Sequence, residues 1–318
     1  VGTPATPEAG RTQYASVLFV HGTPLAESPM RDHPLTPMRD SNLVRLLRPQ
    51  TPHPVSCVPW ATVRHGDQAV RDQLAGAPGH VLVDALDDDD LDVSARSILA
   101  LAEERPVVAA GAAGLGTALA RTARARGTGA GAPAAVPAAA PGRPAPLAVR
   151  GRLIVAGSAS AATRAQVAAF AGEQHTLDPL ALADGREELD RVREALRRRP
   201  DHRAPVVVRA QNEPAQVAGA QRILGPERAA SLIERALTDL TAFAVHELGY
   251  SHVLVAGGET SGAVVAGLGV QRLTVARQAA PGVPWTVGES AGRTVALLLK
   301  SGNFGDEDLF RSAWEVAP

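Results

Sequence analysis

Lysine is almost missing from this chain. Among 32 basic residues only Lys300 is lysine; all the others are arginine. Cysteine occurs once, methionine twice, asparagine three times, and aromatic residues make up 3% of the sequence. One cysteine permits neither an internal disulfide nor a cysteine-based zinc site, which fits a reducing compartment and a cytoplasmic location. Cys57 stands in "PVSCVPW" and reads as part of a buried strand. With so few aromatics the core must be built from Val, Leu, Ile and Ala. No apolar run reaches the roughly 18–20 residues of a transmembrane helix, and no secretory signal is visible. The net charge of −1 argues against a large electrostatic footprint for nucleic acid. Neither a membrane nor a nucleic acid is therefore an expected partner.

Against an Ala/Arg/Gly/Pro/Val-rich background the rare residues carry the information. Both methionines and two of the three asparagines fall in two short stretches, "ESPMRDHPLTPMRDSNL" (27–43) and "LKSGNFG" (299–305). Lysine is a compact point charge suited to reaching a phosphate, where arginine is a rigid fork. Lys300 reads either as such a contact or as a surface charge at a strand end.

Residues 122–150 are dominated by Gly, Pro and short Ala runs, and read as a flexible linker. Before it, "SVLFV", "PVSCV", "HVLVDA" and "PVVAAG" are strand-like, with helical patterns between them. In one of these, Ala95, Ile98, Leu99 and Ala102 recur at helical spacing. After it, "RLIVAGS", "APVVVRA", "HVLVA", "VQRLTVARQ" and "TVALLLK" are strands. A long helix over 227–248 is expected to bury Ala230, Ile233, Leu237, Leu240 and Ala244, with Gly249 at its end. Apolar strands spaced by amphipathic helices predict an α/β fold: two domains with mainly parallel sheets flanked by helices. The expected division is 1–121, linker 122–150, and 151–318.

Three Gly/Ser-rich loops follow strands in the second half. In "VLVAGGETSGAVVAGLGV" (253–270), Gly257 and Gly258 let the backbone approach a ligand, and Thr260 and Ser261 suit a helix cap near Ser261 or Gly262. Free N–H groups at such a helix start can hold a phosphate, although a plain strand-to-helix turn uses the same residues. The Gly-Lys-Ser/Thr ending of a Walker A loop is absent. "AGSASAATRAQ" (156–166) places Ser158 and Ser160 in a turn, with Thr163 the expected cap. "LKSGNFG" adds Lys300, Gly302 and Asn303. If the strands run parallel, all three loops gather at one sheet edge as a nucleotide cradle.

The stretch 27–43 is different, with three prolines and a concentration of Arg31, Asp32, His33, Arg39, Asp40, Ser41 and Asn42. Arginine suits a carboxylate, and Asp, Ser and Asn suit hydroxyls, which is the chemistry of sugar-acid recognition. Asp40 or Ser41 can equally cap the helix that follows. His33 has no second histidine at useful spacing, so no protein metal site is expected. "GAAGLGTAL" (111–119) is not the dinucleotide fingerprint. "DALDDDDLD" (84–92) lacks the spacing of a calcium loop and reads as acids feeding a helix start. Asp84, at a strand end, is a better ligand candidate than the acids after it.

Taken together, the chain resembles the four-carbon acid sugar kinase family, which includes 3-oxo-tetronate and threonate/erythronate kinases. The resemblance lies in residues 10–47, 157–166, 253–270 and 281–310, in that order. It implies a sugar-acid-binding N-terminal domain, an ATP-binding C-terminal domain, and transfer of the γ-phosphate of ATP to the acid's terminal hydroxyl with Mg²⁺. It places Ser158, Ser160, Gly257, Gly258, Glu259, Thr260, Ser261, Gly262, Lys300, Gly302 and Asn303 on the nucleotide side. Arg31, Asp40, Ser41 and Asn42 fall on the sugar-acid side. It names no catalytic base, and it is compatible with a homo-oligomer. Family members usually begin with a strand and an Asp-Asp…Thr-Gly loop; nothing like it precedes Gly10, so an N-terminal domain lacking that segment is expected. A non-catalytic nucleotide- or sugar-acid-binding protein is the alternative. A nicotinamide-dependent oxidoreductase is favoured by fold class alone.

Overall fold

The computed structural model describes residues 1–32, 37–127 and 144–318. The chain divides into two compact units, Val1–Ala138 and Ala139–Pro318.

In the first unit the strands are β1 (Gly2–Thr3), β2 (Arg11–Tyr14), β3 (Val17–Val20), β4 (Thr23–Pro24), β5 (Val55–Val58), β6 (His80–Val83) and β7 (Ala110–Gly111). The helices are α1 (Leu43–Leu47), α2 (Trp60–Val63), α3 (Asp67–Gly76), α4 (Asp88–Glu104) and α5 (Ala113–Ala125). A parallel sheet runs in the order β5-β6-β1-β7. Its core joins Val58, Val81 and Val83 to Val70, Leu74, Ile98, Leu101 and Leu115 of the helices. On α4 the buried stripe is Leu91, Ala95, Ile98 and Leu101, while Ala102 is exposed, so the inward face is rotated from the expected one. Residues 122–125, expected in the linker, continue α5. The glycines of "GAAGLG" serve packing: a Cβ on Gly111 would lie 2.6 Å from the Thr3 carbonyl oxygen, and one on Gly114 2.5 Å from that of Ala5. Of the expected strand 106–111, only Ala110–Gly111 forms.

The strand expected over 16–20 is present as β3, but outside the parallel sheet. It is the middle of an antiparallel meander β2-β3-β4. Ala15 and Ser16 turn the chain with φ of 49° and 65°, the left-handed conformation a tight hairpin demands. Asp84 holds this turn. Its fully buried carboxylate accepts from Ala15 N at 2.7 Å, Ser16 N at 3.1 Å, Trp60 N at 3.1 Å and Gln13 Nε2 at 2.9 Å. That corrects its reading as a ligand candidate, because its acceptor capacity goes to the protein. Cys57 lies against the same carboxylate, Sγ to Oδ1 3.3 Å, and burial pushes its thiol up to about 12. Trp60 donates from Nε1 to Asp90 Oδ2 at 2.9 Å.

In the second unit the strands are β8 (Arg152–Ala156), β9 (Gln174–Leu177), β10 (Val206–Ala210), β11 (His252–Ala256), β12 (Thr274–Ala280), β13 (Val283–Ser290) and β14 (Arg293–Lys300). The helices are α6 (Ala161–Ala169), α7 (Pro179–Asp184), α8 (Glu187–Arg198), α9 (Pro214–Leu224), α10 (Pro226–His246), α11 (Gly258–Gly267) and α12 (Leu309–Ser312). The sheet order is β12-β13-β14-β11-β8-β10-β9. The five strands from β14 to β9 are parallel; β12, β13 and β14 pair antiparallel. β13 was not among the expected strands, since Pro284 and Gly288 interrupt its apolar pattern, yet Trp285 is fully buried there beside Trp314.

Alternating residues send the two sheet faces into separate cores. Leu153, Val155, Val206, Val208, Val253 and Val255 pack under α8, α10 and α11. Ile154, Ala156, Val207, Leu254 and Ala256 pack under α6 and α12. On α10 Leu237, Leu240 and Ala244 are buried as expected and Ile233 packs against them, but Ala230 is exposed and Ala229 takes its place inside. Gly249 turns the chain after that helix at φ 76°.

Candidate nucleotide-binding crevice

β8 and β11 are neighbours, in register from Arg152↔His252 to Ala156↔Ala256. Their following helices go to opposite faces. α6 packs on one face through Val167, and α11 on the other through Val264. The two loops therefore leave adjacent strands toward opposite faces at the carboxyl edge of the sheet. In open α/β sheets this switch point is where ligands bind. The loop after β14 joins them, because β14 runs parallel to β11 with Lys300 opposite Ala256.

The three loops interlock. Gly157 N and Ser158 N both donate to the Ala256 carbonyl at 3.1 Å, and Gly257 N donates to that of Lys300 at 2.9 Å. A Cβ on Gly157 would strike Thr260 Oγ1, and one on Gly302 would strike Ser158 Oγ. Gly257 sits at φ 135°, outside the range of other residues. Thus Ser158, Ser160, Gly257, Thr260 and Gly302 are brought together.

α11 begins at Gly258, three or four residues earlier than expected, and no side chain caps it. Thr260 and Ser261 are not caps; they lie buried in its first turn. The leading N–H groups of a helix lack intrahelical acceptors, and here no side chain supplies one. Ser261 Oγ is buried without a hydrogen-bond partner. A Cβ on Gly258 or Gly262 would meet nothing within 4 Å. Open space, an uncapped helix start and an orphaned hydroxyl suit an anionic, oxygen-rich ligand such as a nucleotide phosphate. Glu259 is exposed beside them.

α6 is capped by Ser160, whose Oγ accepts from Thr163 N at 3.2 Å; the expected cap, Thr163, is fully buried instead. Lys300 is neither a surface charge nor a free arm. It is 1% exposed, and its ammonium donates to Gln166 Oε1 at 2.8 Å, Gly302 O at 3.0 Å and Thr163 Oγ1 at 3.1 Å. Burial holds its pKa down to about 8. The Gly302 carbonyl also receives Ser160 Oγ at 2.6 Å and Thr163 Oγ1 at 2.9 Å. Gln166 completes the lattice, its Nε2 donating to the carbonyls of Phe304, Gly305 and Asp306 at 2.8–3.1 Å. Sequence reasoning missed Gln166. The signal was its spacing: Ser160, Thr163 and Gln166 fall three residues apart on one helix face.

In the first unit, the residues expected to bind sugar acid largely shape their own loop. Asn42, not Asp40 or Ser41, caps α1, its Oδ1 accepting from Arg45 N at 3.0 Å. Asp40 pairs with Arg45 at 2.6 Å and accepts from Asn42 N at 2.9 Å, which draws its pKa down to about 2. Ser41 Oγ accepts from Ala26 N at 2.8 Å. Arg31 is exposed at the end of a 3₁₀ turn, Pro29–Asp32. His33 lies outside the described residues. Among the described residues no cluster of His, Cys, Asp and Glu could hold a metal ion, and no helix is long and apolar enough to cross a membrane.

The second unit is of the nucleotide-binding α/β class: residues 153–310 match the family described as a nucleotide-binding C-terminal domain. Residues 1–119 match a sugar-binding N-terminal domain. A 3-oxo-tetronate kinase from Pseudomonas fluorescens is 40% identical over 317 residues, covering 98% of this chain and 70% of the relative. One from Methylobacterium radiotolerans is 41% identical, covering 99% and 72%. Among solved structures, a Salmonella typhimurium LT2 protein superposes with a TM-score of 0.76 at 31% identity, covering 100% of this chain and 73% of that one. The chain belongs to the four-carbon acid sugar kinase family, phosphotransferases that act on an alcohol group.

Proposed function

We propose that this chain transfers the γ-phosphoryl group of ATP to the terminal hydroxyl of a four-carbon sugar acid of the 3-oxo-tetronate, threonate or erythronate type. The observation that carries the reading is the switch point between β8 and β11, with the uncapped α11 start and a Ser261 hydroxyl that has no partner among the described residues. The names of its relatives supply the substrate class.

In this reading 151–318 binds the nucleotide and 1–121 the sugar acid, with 122–150 between them. The phosphates lie against the N–H groups of Gly258, Glu259 and Thr260, with Ser261 Oγ donating. Gly258 and Gly262 keep the space clear, and Ser158, Ser160, Gly302 and Asn303 form the facing wall. Lys300 shapes that wall from beneath. Arg31 is the carboxylate contact on the acid side, in a loop whose form Asp40, Ser41 and Asn42 maintain. Mg²⁺ is held mainly by phosphate oxygens and water, with one carboxylate at most, for which Glu259 is placed. When bound, it neutralises charge on the phosphates. The enzyme works in the cytoplasm on small molecules rather than nucleic acid, alone or as a homo-oligomer.

Calorimetric titration with Mg-ATP, followed by an ADP-release assay over a panel of four-carbon sugar acids, tests this. Saturable ATP binding with acid-dependent ADP release is the expected result. Binding without turnover on any of the acids would make the chain a non-catalytic binder.

A further inference from the structure

Resting on the kinase reading above, we propose that Arg209 is a nucleotide contact, its guanidinium binding the phosphate chain beside the Gly157–Ser160 loop. The inference starts from register. Lys300, Ala256, Ala156 and Arg209 lie opposite one another on four adjacent parallel strands, β14, β11, β8 and β10. They form one row across the carboxyl edge. Ala156, Ala256 and Leu298 pack on the α6 side of the sheet, and so does Val207, two residues before Arg209. Alternation along a strand puts Lys300 and Arg209 on that same side. Two cations thus bracket two alanines at the edge where the loops converge.

The two cations differ in what they have left to give. Lys300 spends its three protons on protein oxygens. Arg209 is half-buried and has one good partner, Asn212 Oδ1 at 3.1 Å; among the described residues its other hydrogen bond is a long one, to the Ala210 carbonyl at 3.5 Å. Its Nε is buried with no acceptor. Among the described residues it takes part in no ion pair. A guanidinium has five donors in a fork that matches phosphate oxygens. Leaving it partly desolvated and without an anion is costly. Asn212, 9% exposed, accepts from Nη1 alone.

Reach favours the same ligand. One strand spacing, about 4.8 Å, separates Arg209 from Ala156, and an arginine side chain is longer than that. Ala156 leads directly into Gly157 and Ser158, the facing wall of the crevice. A multiply charged phosphate chain lying there supplies the anion that the protein does not.

The test is calorimetry on the full chain with Mg-ATP, ADP and adenosine, for wild type, Arg209→Met and Arg209→Lys. The expected result is a loss of at least tenfold in affinity for ATP and ADP in Arg209→Met, with adenosine affinity and melting temperature unchanged. Arg209→Lys recovers part of the loss, and the Michaelis constant for the sugar acid does not move. Wild-type ATP affinity in Arg209→Met overturns the proposal while leaving the kinase reading intact. Equal losses for ATP and adenosine also overturn it. Failure of the wild-type chain to bind ATP removes both.

Discussion

Lys300 Nζ and Gln166 Oε1 stand 2.8 Å apart, both residues buried, one ending a strand and the other midway along the helix facing it. Through them the 302–306 loop is fixed to α6, since Gln166 binds three of its carbonyls and Lys300 a fourth. Arginine is a poor substitute here, because its planar fork cannot make from one atom the three bonds that Nζ makes.

Replacing Lys300 by Met takes the donor from Gln166 Oε1, while the Gly302 carbonyl keeps Ser160 Oγ and Thr163 Oγ1. An unsatisfied buried acceptor costs about 1–3 kcal/mol. The nucleotide Michaelis constant should rise on the order of tenfold, with a smaller change for the sugar acid. Gln166→Leu should act similarly, and the double variant should lose less than the sum, as one network requires. Steady-state kinetics on the three variants decide this; strict additivity would separate the two residues.

The same lysine carries a pH signature. Burial lowers its pKa from 10.5 to about 8. Below pH 8 it is protonated folded and unfolded, and the cost of burying the charge is fully present. Between about 8 and 10.5 the unfolded chain holds more protons, so stability from this group rises with pH. Urea unfolding of wild type against Lys300→Met, at about pH 7 and about pH 10, should show wild type gaining on the variant. A constant difference would mean an ordinary lysine pKa.

Gly258 and Gly157 separate ligand clearance from packing. A Cβ on Gly258 meets nothing within 4 Å among the described residues, whereas one on Gly157 collides with Thr260 Oγ1. Gly258→Val should keep the wild-type melting temperature and lose nucleotide binding. Gly157→Ala should lower the melting temperature as well. Undiminished ATP affinity in Gly258→Val would move the phosphates elsewhere.

Ser261→Ala removes a buried hydroxyl with no hydrogen-bond partner among the described residues. Folding stability should be unchanged or slightly higher, since a polar burial cost disappears. ATP affinity should fall on the order of tenfold, the worth of a hydrogen bond to a charged group. Thermal melts with and without ATP read both effects in one experiment.

The Ala15–Ser16 turn holds two non-glycine residues at positive φ. Substituting Asn-Gly should stabilise the first unit by about 0.5–1 kcal/mol. Asp84→Asn should destabilise it by about 2–4 kcal/mol, because an amide NH₂ would face backbone donors. Denaturant midpoints check both.

How much of this could be read from sequence depended on range. The Val-rich strands 152–156, 206–210 and 252–256 were legible because burial on both faces leaves continuous apolar runs. The glycine loops were legible because only glycine tolerates such turns. Caps were misassigned at Ser160, Gly257 and Asn42, since several polar residues within one helical turn compete and the backbone decides among them. The switch point was not legible. It needs β8 beside β11, strands about a hundred residues apart in sequence, with helices leaving to opposite sides. The part played by Lys300 was hidden for the same reason: its partners Thr163 and Gln166 lie far upstream.

Tryptophan placement has an optical consequence. Trp60 is the only tryptophan of the first unit, edge-on to Tyr14 and bonded to Asp90. Trp285 and Trp314 sit 5.5 Å apart in the second, close enough to exchange excitation and emit as one centre. A chain carrying Trp285→Phe and Trp314→Phe would glow from Trp60 alone. Its emission would follow the first unit without interference from the second, so the response of each unit to an added ligand could be recorded in a different light.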